Sequence, residues 1–218
     1  MIEPYNILYF AVSTREPVAI GADWSKGDLS PVTEIAWQYR GMKKSFLLQR
    51  DDVPFWSFPE VAVEFINDCH RAPLICAHNI RSATNAVKSG IIASLGPQWY
   101  ASANVEGALY KGKRIDTMLL AKGWVDARRS DGTLKFPTFE ELFAKCFKVP
   151  YSFHGALGEA GALYQCLKVL VKEGVVELKP REYPGENIEN ARNALISAIN
   201  DEINKLYASG VQAPQKEN

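Results

Sequence analysis

Apolar residues along this chain follow two spacings, and the switch between them lays out the fold. Residues 6–12 (NILYFAV) are a short apolar and aromatic run, as expected of a buried strand. In residues 33–39 (TEIAWQY) the period is two, which puts Ile35 and Trp37 on one face of a second strand. A hairpin turn at residues 41–44 then predicts a third strand at 45–49. Residues 13–31 hold turn formers (STREP, SKGD, SP), with a short strand expected at 18–22 (VAIGA).

Helical spacing takes over downstream. Residues 58–70 carry Val61, Phe65, Ile66 and Cys69 in phase, and Pro59 suits the first turn, where its missing N–H costs nothing. Residues 74–78 are short and apolar, as a buried parallel strand should be. A helix is predicted at 83–95, closed by Gly96-Pro97. Another short helix is expected within 98–112, a last strand at 114–120 and a helix at 139–147. After Pro150, Ala156, Ala160, Leu163, Leu167 and Leu170 recur at steps of three or four. That long helix has His154 at its mouth and Glu159 in its first turns. Antiparallel strands followed by strands alternating with helices predict an α/β fold with a mixed sheet.

Composition changes after Lys179-Pro180. We divide the chain into a core of residues 1–179, a helical extension at 180–210 and a tail at 211–218 expected to be disordered. Ile188, Leu195, Ile199, Ile203 and Leu206 fall on one side of a predicted helix at 186–207. This helix either packs on its own domain or serves a homodimer or protein partner.

Apolar residues make up 47% of the 218 and aromatics 11%, enough for a packed core. No apolar run reaches the length of a membrane span, and the N-terminus lacks the pattern of a signal peptide. Four scattered cysteines without a CxxC pair fit a reduced, cytoplasmic setting. Formal net charge is zero, so a nucleic-acid surface would have to be a local patch.

One segment carries a sharper signal. Residues 154–160 read H-G-A-L-G-E-A, which resembles the third motif of the DEDDh 3′–5′ exonucleases, H-G-A-L-x-D-A, with Glu159 in place of the aspartate. These belong to the ribonuclease H-like superfamily and include proofreading subunits of DNA polymerases. The resemblance covers roughly residues 5–172 and implies a five-stranded mixed sheet that opens with an antiparallel meander. It also implies two Mg²⁺ or Mn²⁺ ions held by four carboxylates, with the histidine as general base. The first motif, F-D-x-E-T-T, is here F-A-V-S-T-R, so Ala11 and Ser13 stand where two acids belong, while Phe10 and Thr14 are kept. The second is A-H-N-I-R-S-A-T, in which His78 and Asn79 match but Ala83 replaces the aspartate. Asp116, in RIDTMLLA, matches a framework acid rather than a metal ligand, and residues 135–147 resemble the helix before the third motif.

A methyl group cannot coordinate Mg²⁺, a serine hydroxyl is a poor substitute for a carboxylate, and one glutamate cannot hold two dications about 4 Å apart. The expectation is a degenerate domain that does not cleave, with no cofactor; Mg²⁺ or Mn²⁺ would be needed only if activity is retained. His154 and Glu159 are then a residual catalytic motif. Three alternatives stay open: alanines introduced to trap substrate, a site rebuilt from Glu16, Asp23 or Glu34, and zinc held by Cys69, His70, Cys76 and His78.

Such a domain would act as a nucleic-acid-binding or regulatory module. Single-stranded DNA or RNA could meet Thr14, His78, Asn79, Lys111, Lys113 and Arg114, with Arg128 and Arg129 beyond and Trp99 and Tyr100 as stacking surfaces. The competing class is a protein-interaction scaffold. A basic cleft over Ala11, Ala83 and Glu159 would favour nucleic acid, a neutral one the scaffold, and a convergent set of acids the enzyme.

Overall fold

A computed structural model describes residues 3–17, 23–48 and 57–178. The predicted strand at 18–22, the helix at 186–207 and the tail lie outside the described residues.

Five strands form one mixed sheet: β1 (Ile7–Thr14), β2 (Val32–Tyr39), β3 (Met42–Leu47), β4 (Leu74–Ala77) and β5 (Arg114–Asp116), in the order β3-β2-β1-β4-β5. β1 runs antiparallel to β2 and parallel to β4, and β4 runs parallel to β5. The α/β class and the mixed five-stranded sheet therefore stand as predicted.

Alternation along β1 splits the interior in two. Leu8 and Phe10 join Ile35, Trp37 and Ile75 on the face covered by α1 (Phe58–Arg71), α2 (Ile80–Ser102) and α3 (Val105–Ala108). Ile7 and Tyr9 point the other way, with Cys76, Ile115 and the apolar stripes of two later helices. These are α6 (Phe139–Phe147) and α7 (Gly155–Lys172), which follow two single-turn helices, α4 (Thr117–Leu120) and α5 (Lys122–Val125). All five residues of the predicted stripe, Ala156, Ala160, Leu163, Leu167 and Leu170, are buried. Further along β1 the contact narrows to three small side chains, Ala11, Ala36 and Ala156, which pack together where α7 begins. Helix and sheet approach closely there because each contributes only a methyl group.

Several boundaries differ from the sequence expectation. The hairpin turn is Arg40-Gly41 rather than 41–44, so β3 starts at Met42; both turn residues take positive φ, 48° and 79°, as a tight hairpin requires. The last strand ends at Asp116, not at 120: its carboxylate accepts a hydrogen bond from the Met118 N–H at 3.0 Å and caps α4. Gly96, at φ 81° and ψ 166°, interrupts the helix where closure was expected, but Pro97 starts a further stretch of the same element up to Ser102.

At the end of β5 away from its capping aspartate, a charged network ties α2 to α3. Lys88 is buried and donates to both carboxylate oxygens of Glu106, at 2.6 and 2.7 Å. Tyr100 also donates to Glu106, and Trp24 stacks on Tyr100 with the Lys88 ammonium 4.6 Å from its ring centre.

Candidate functional site

Parallel strands with helices at their carboxyl ends leave a crevice there, and this sheet has a cleft of about 160 Å³ at that edge. Ala11 and Thr14 from β1, His78 and Asn79 from the turn after β4, Ser82 and Ala83 from α2, and Glu159 from α7 line it. Five of the residues singled out in the three motifs thus meet two motif neighbours, Thr14 and Ser82, in one place. Ser13 does not line the cleft; it lies on the α7 face of β1, directly across from Glu34 on β2. His154 is exposed at the N-cap of α7, makes no capping hydrogen bond and does not line the cleft.

The turn that presents His78 and Asn79 is held by Asp116. One carboxylate oxygen accepts from the Asn79 N–H at 3.1 Å and the other from the Ile80 N–H at 3.2 Å. One side chain thereby satisfies the start of α2 and, through Met118, the start of α4. Asn79 adopts a left-handed conformation, φ 56°, which asparagine tolerates better than most residues. Burial raises the Asp116 pKa, while the N–H groups it accepts from, at Leu119, Met118 and Asn79, oppose that rise.

His78 is occupied on both ring nitrogens. Nε2 lies 2.9 Å from the Pro137 carbonyl, which can only accept, so Nε2 carries the proton. Nδ1 then accepts from the Thr117 hydroxyl at 3.0 Å. Burial lowers the His78 pKa, which keeps this neutral tautomer. The ring also stands edge-on to Phe139 at 5.5 Å. His78 therefore pins the segment before α6 to the β4–α2 turn.

Glu159 is the one carboxylate among the described residues that line the cleft, and no lysine or arginine is among them. Burial pushes its pKa up to about 7, with the nearby charges of Glu140 and Glu34 adding to the rise. Neither neighbour was read as part of the site from sequence except Glu34, as one of three replacement acids. Of those three, Glu34 alone approaches α7: a Cβ on Gly155 would lie 2.9 Å from its Oε1. Glu16 is exposed, and Asp23 is exposed and bonded to Ser25 at 3.0 Å. Glu140 could have been suspected from its place in the first turn of α6; its approach to Glu159 depends on tertiary packing.

The donor set does not suit the metals of the exonuclease chemistry. Among the described residues, no group of three or more His, Cys, Asp or Glu side chains is placed to hold a metal ion. The zinc alternative meets a specific obstacle as well. Cys69 and Cys76 are buried in opposite layers of the core, and His70 bonds to the Ala103 carbonyl at 2.9 Å.

The basic residues proposed for nucleic acid do not line the cleft. Lys113 donates to the Cys69 carbonyl at 2.8 Å and Arg114 to the Leu109 carbonyl at 2.6 and 2.8 Å, at the opposite end of β5. Lys111 is exposed beside them, and Arg128 is bonded to Asp126 and the Gly132 carbonyl within its own exposed loop. Arg129 is exposed in that loop. Tyr100 is buried in the Lys88 network, and Trp99 packs against the core. Among the described residues, no helix is long and apolar enough to cross a membrane.

No protein-family model and no curated protein matches this sequence.

Proposed function

We propose that this domain is a ribonuclease H-like, DEDDh-type exonuclease fold that has lost catalysis and works as a regulatory or interaction module. An antiparallel meander followed by parallel strands supports that fold assignment. The observation that carries the functional reading is the composition of the cleft. Ala11, Ala83 and Glu159 converge there, yet Glu159 is its single carboxylate among described residues and no cation faces it. A cleft with one acid, which burial biases toward its uncharged form, neither holds two dications nor attracts a phosphate backbone. Such a surface suits recognition by shape and hydrogen bonding, which favours a protein partner.

Nucleic-acid binding is the second reading. Thr14, Asn79 and Ser82 bring polar side chains to the same open cleft and could bond a sugar or phosphate at a strand end. Homodimerisation or partner binding through the C-terminal extension is a related proposal, resting on the a/d-like spacing of Ile196, Ile199, Ile203 and Leu206. Four scattered cysteines without a CxxC pair support a reduced, cytoplasmic setting for the module.

A 3′-labelled single strand incubated with Mn²⁺, scored for binding and cleavage together, tests the reading. Neither signal is expected at physiological salt. Mn²⁺-dependent shortening that disappears in Glu159→Gln would overturn the loss of catalysis. Salt-sensitive binding without shortening would select the second reading.

A further inference from the structure

Three polar side chains in the cleft are uncommitted. Among the described residues, Asn79, Ser82 and Glu159 line it without a side-chain hydrogen bond or ion pair. No buried side-chain nitrogen or oxygen there lacks a partner, so the oxygens of Glu159 and Ser82 are open to solvent, and Asn79 is exposed. Glu34 adds a second unpaired carboxylate at the start of α7, where a Cβ on Gly155 would lie 2.9 Å from its Oε1. Between these groups the cleft is lined by the methyl groups of Ala11, Ala77, Ala83 and Ala86.

Size narrows what can enter. Sites for drug-sized molecules run to roughly 300–1,000 Å³, and this cleft has about 160 Å³. At roughly 30 Å³ for each water-sized group it takes about five, the number of heavy atoms in a lysine side chain. A nucleotide is several times larger and would enter only in part.

We propose that the cleft receives one lysine side chain of a protein partner, its methylene stem along the alanine methyls and its ammonium at Glu159. This rests on the interaction-module reading and names what the module recognises. Lysine lays its stem on apolar surface while its head keeps polar company. The ammonium has three donors and no acceptor, and Glu159, Ser82 and Asn79 offer it acceptors. An opposite charge favours the ionised form of a carboxyl, so the incoming cation offsets the burial that pushes the Glu159 pKa up to about 7. An acidic side chain would meet Glu159 and Glu34 with the wrong sign.

The full chain, labelled with ¹³C in its alanine methyl groups, is titrated at pH 8 with Nα-acetyl-lysine methylamide. Saturable shifts at Ala11, Ala77, Ala83 and Ala86 are expected. The norleucine analogue, with the same stem and no ammonium, should bind about tenfold more weakly. Glu159→Gln should bring the lysine probe down to that level. Shifts that are absent or lie elsewhere, norleucine binding as tightly as lysine, or an unchanged response in Glu159→Gln would each overturn the proposal. So would tighter occupation of the same methyls by 1,4-diaminobutane, which would make the cleft a site for free amines. Tighter occupation by thymidine 5′-monophosphate would return it to nucleic acid. If the lysine probe fails while the labelled strand stays unbound and uncut, only this inference falls; Mn²⁺-dependent shortening would instead sink the loss of catalysis.

Discussion

Two glutamates in this domain are read in opposite ways by their surroundings. Burial raises the pKa of Glu106 too, but hydrogen bonds from Lys88 and Tyr100, with the charges of Lys88 and Arg114, bring it below its ordinary value. Glu159 has burial and two neighbouring acids, Glu140 and Glu34, and its pKa rises to about 7. The Lys88 network is a complete structural device, in which a buried ammonium and a phenol hold one acid and an indole packs against both of them. The cleft is a partial one, with a single carboxylate and no cation among the described residues that line it. An unpaired, partly buried acid in a cleft carries the functional proposal, and a fully paired one does not.

The comparison can be broken or sharpened by five variants. Ala11→Asp puts a carboxylate among Ala11, Ala36 and Ala156, and should cost about 3 kcal/mol at pH 8, read by urea unfolding. Combining it with Ser13→Glu, Ala83→Asp and Glu159→Asp should create a Mg²⁺-dependent rise in melting temperature; without that rise, the assignment of these positions to the exonuclease motif fails. Lys88→Met leaves Glu106 and Tyr100 without their cation. Since Glu106 is more than half exposed, the expected loss is about 2 kcal/mol rather than that of a buried pair.

Glu159→Gln tests the orphan directly. A carboxyl whose pKa is raised by folding stays protonated in the folded state while the unfolded chain ionises, so stability falls between about 4.5 and about 7 and stays low above that. The variant should match the wild type at pH 4 and exceed it by about 1–2 kcal/mol at pH 8. A deficit at pH 8 would mean that Glu159 has a cationic or hydrogen-bonding partner after all. The smallest effect belongs to His154→Ala, which should change stability by no more than about 0.5 kcal/mol, because the side chain is exposed and caps nothing.

Helix α7 was legible because its apolar stripe is strictly periodic, and β2 because Ile35 and Trp37 alternate into one core. The end of β5 was not. Met118, Leu119 and Leu120 continue an apolar run, and only the Asp116 side chain turns it into a helix. The positions around the cleft were reached through the resemblance to the exonuclease motifs, whereas the basic residues assigned to nucleic acid could not be placed. Lys113 and Arg114 look like a surface patch in sequence, but their targets are carbonyls at Cys69 and Leu109 that only the folded chain brings near. Of the acids that act on Glu159, Glu140 was equally hidden, whereas Glu34 could be named as a replacement acid but only the fold sets it beside α7.

The alanine contact under α7 has a consequence for any return to a charged cleft. With Ala11, Ala36 and Ala156 packed at methyl distance, the helix closes over the space a carboxylate would occupy. A carboxylate placed at Ala11 alone meets a steric and dielectric wall before it meets a metal. Only a concerted change, in which the other acids and a bound metal offset the displacement at the start of α7, would accommodate that charge.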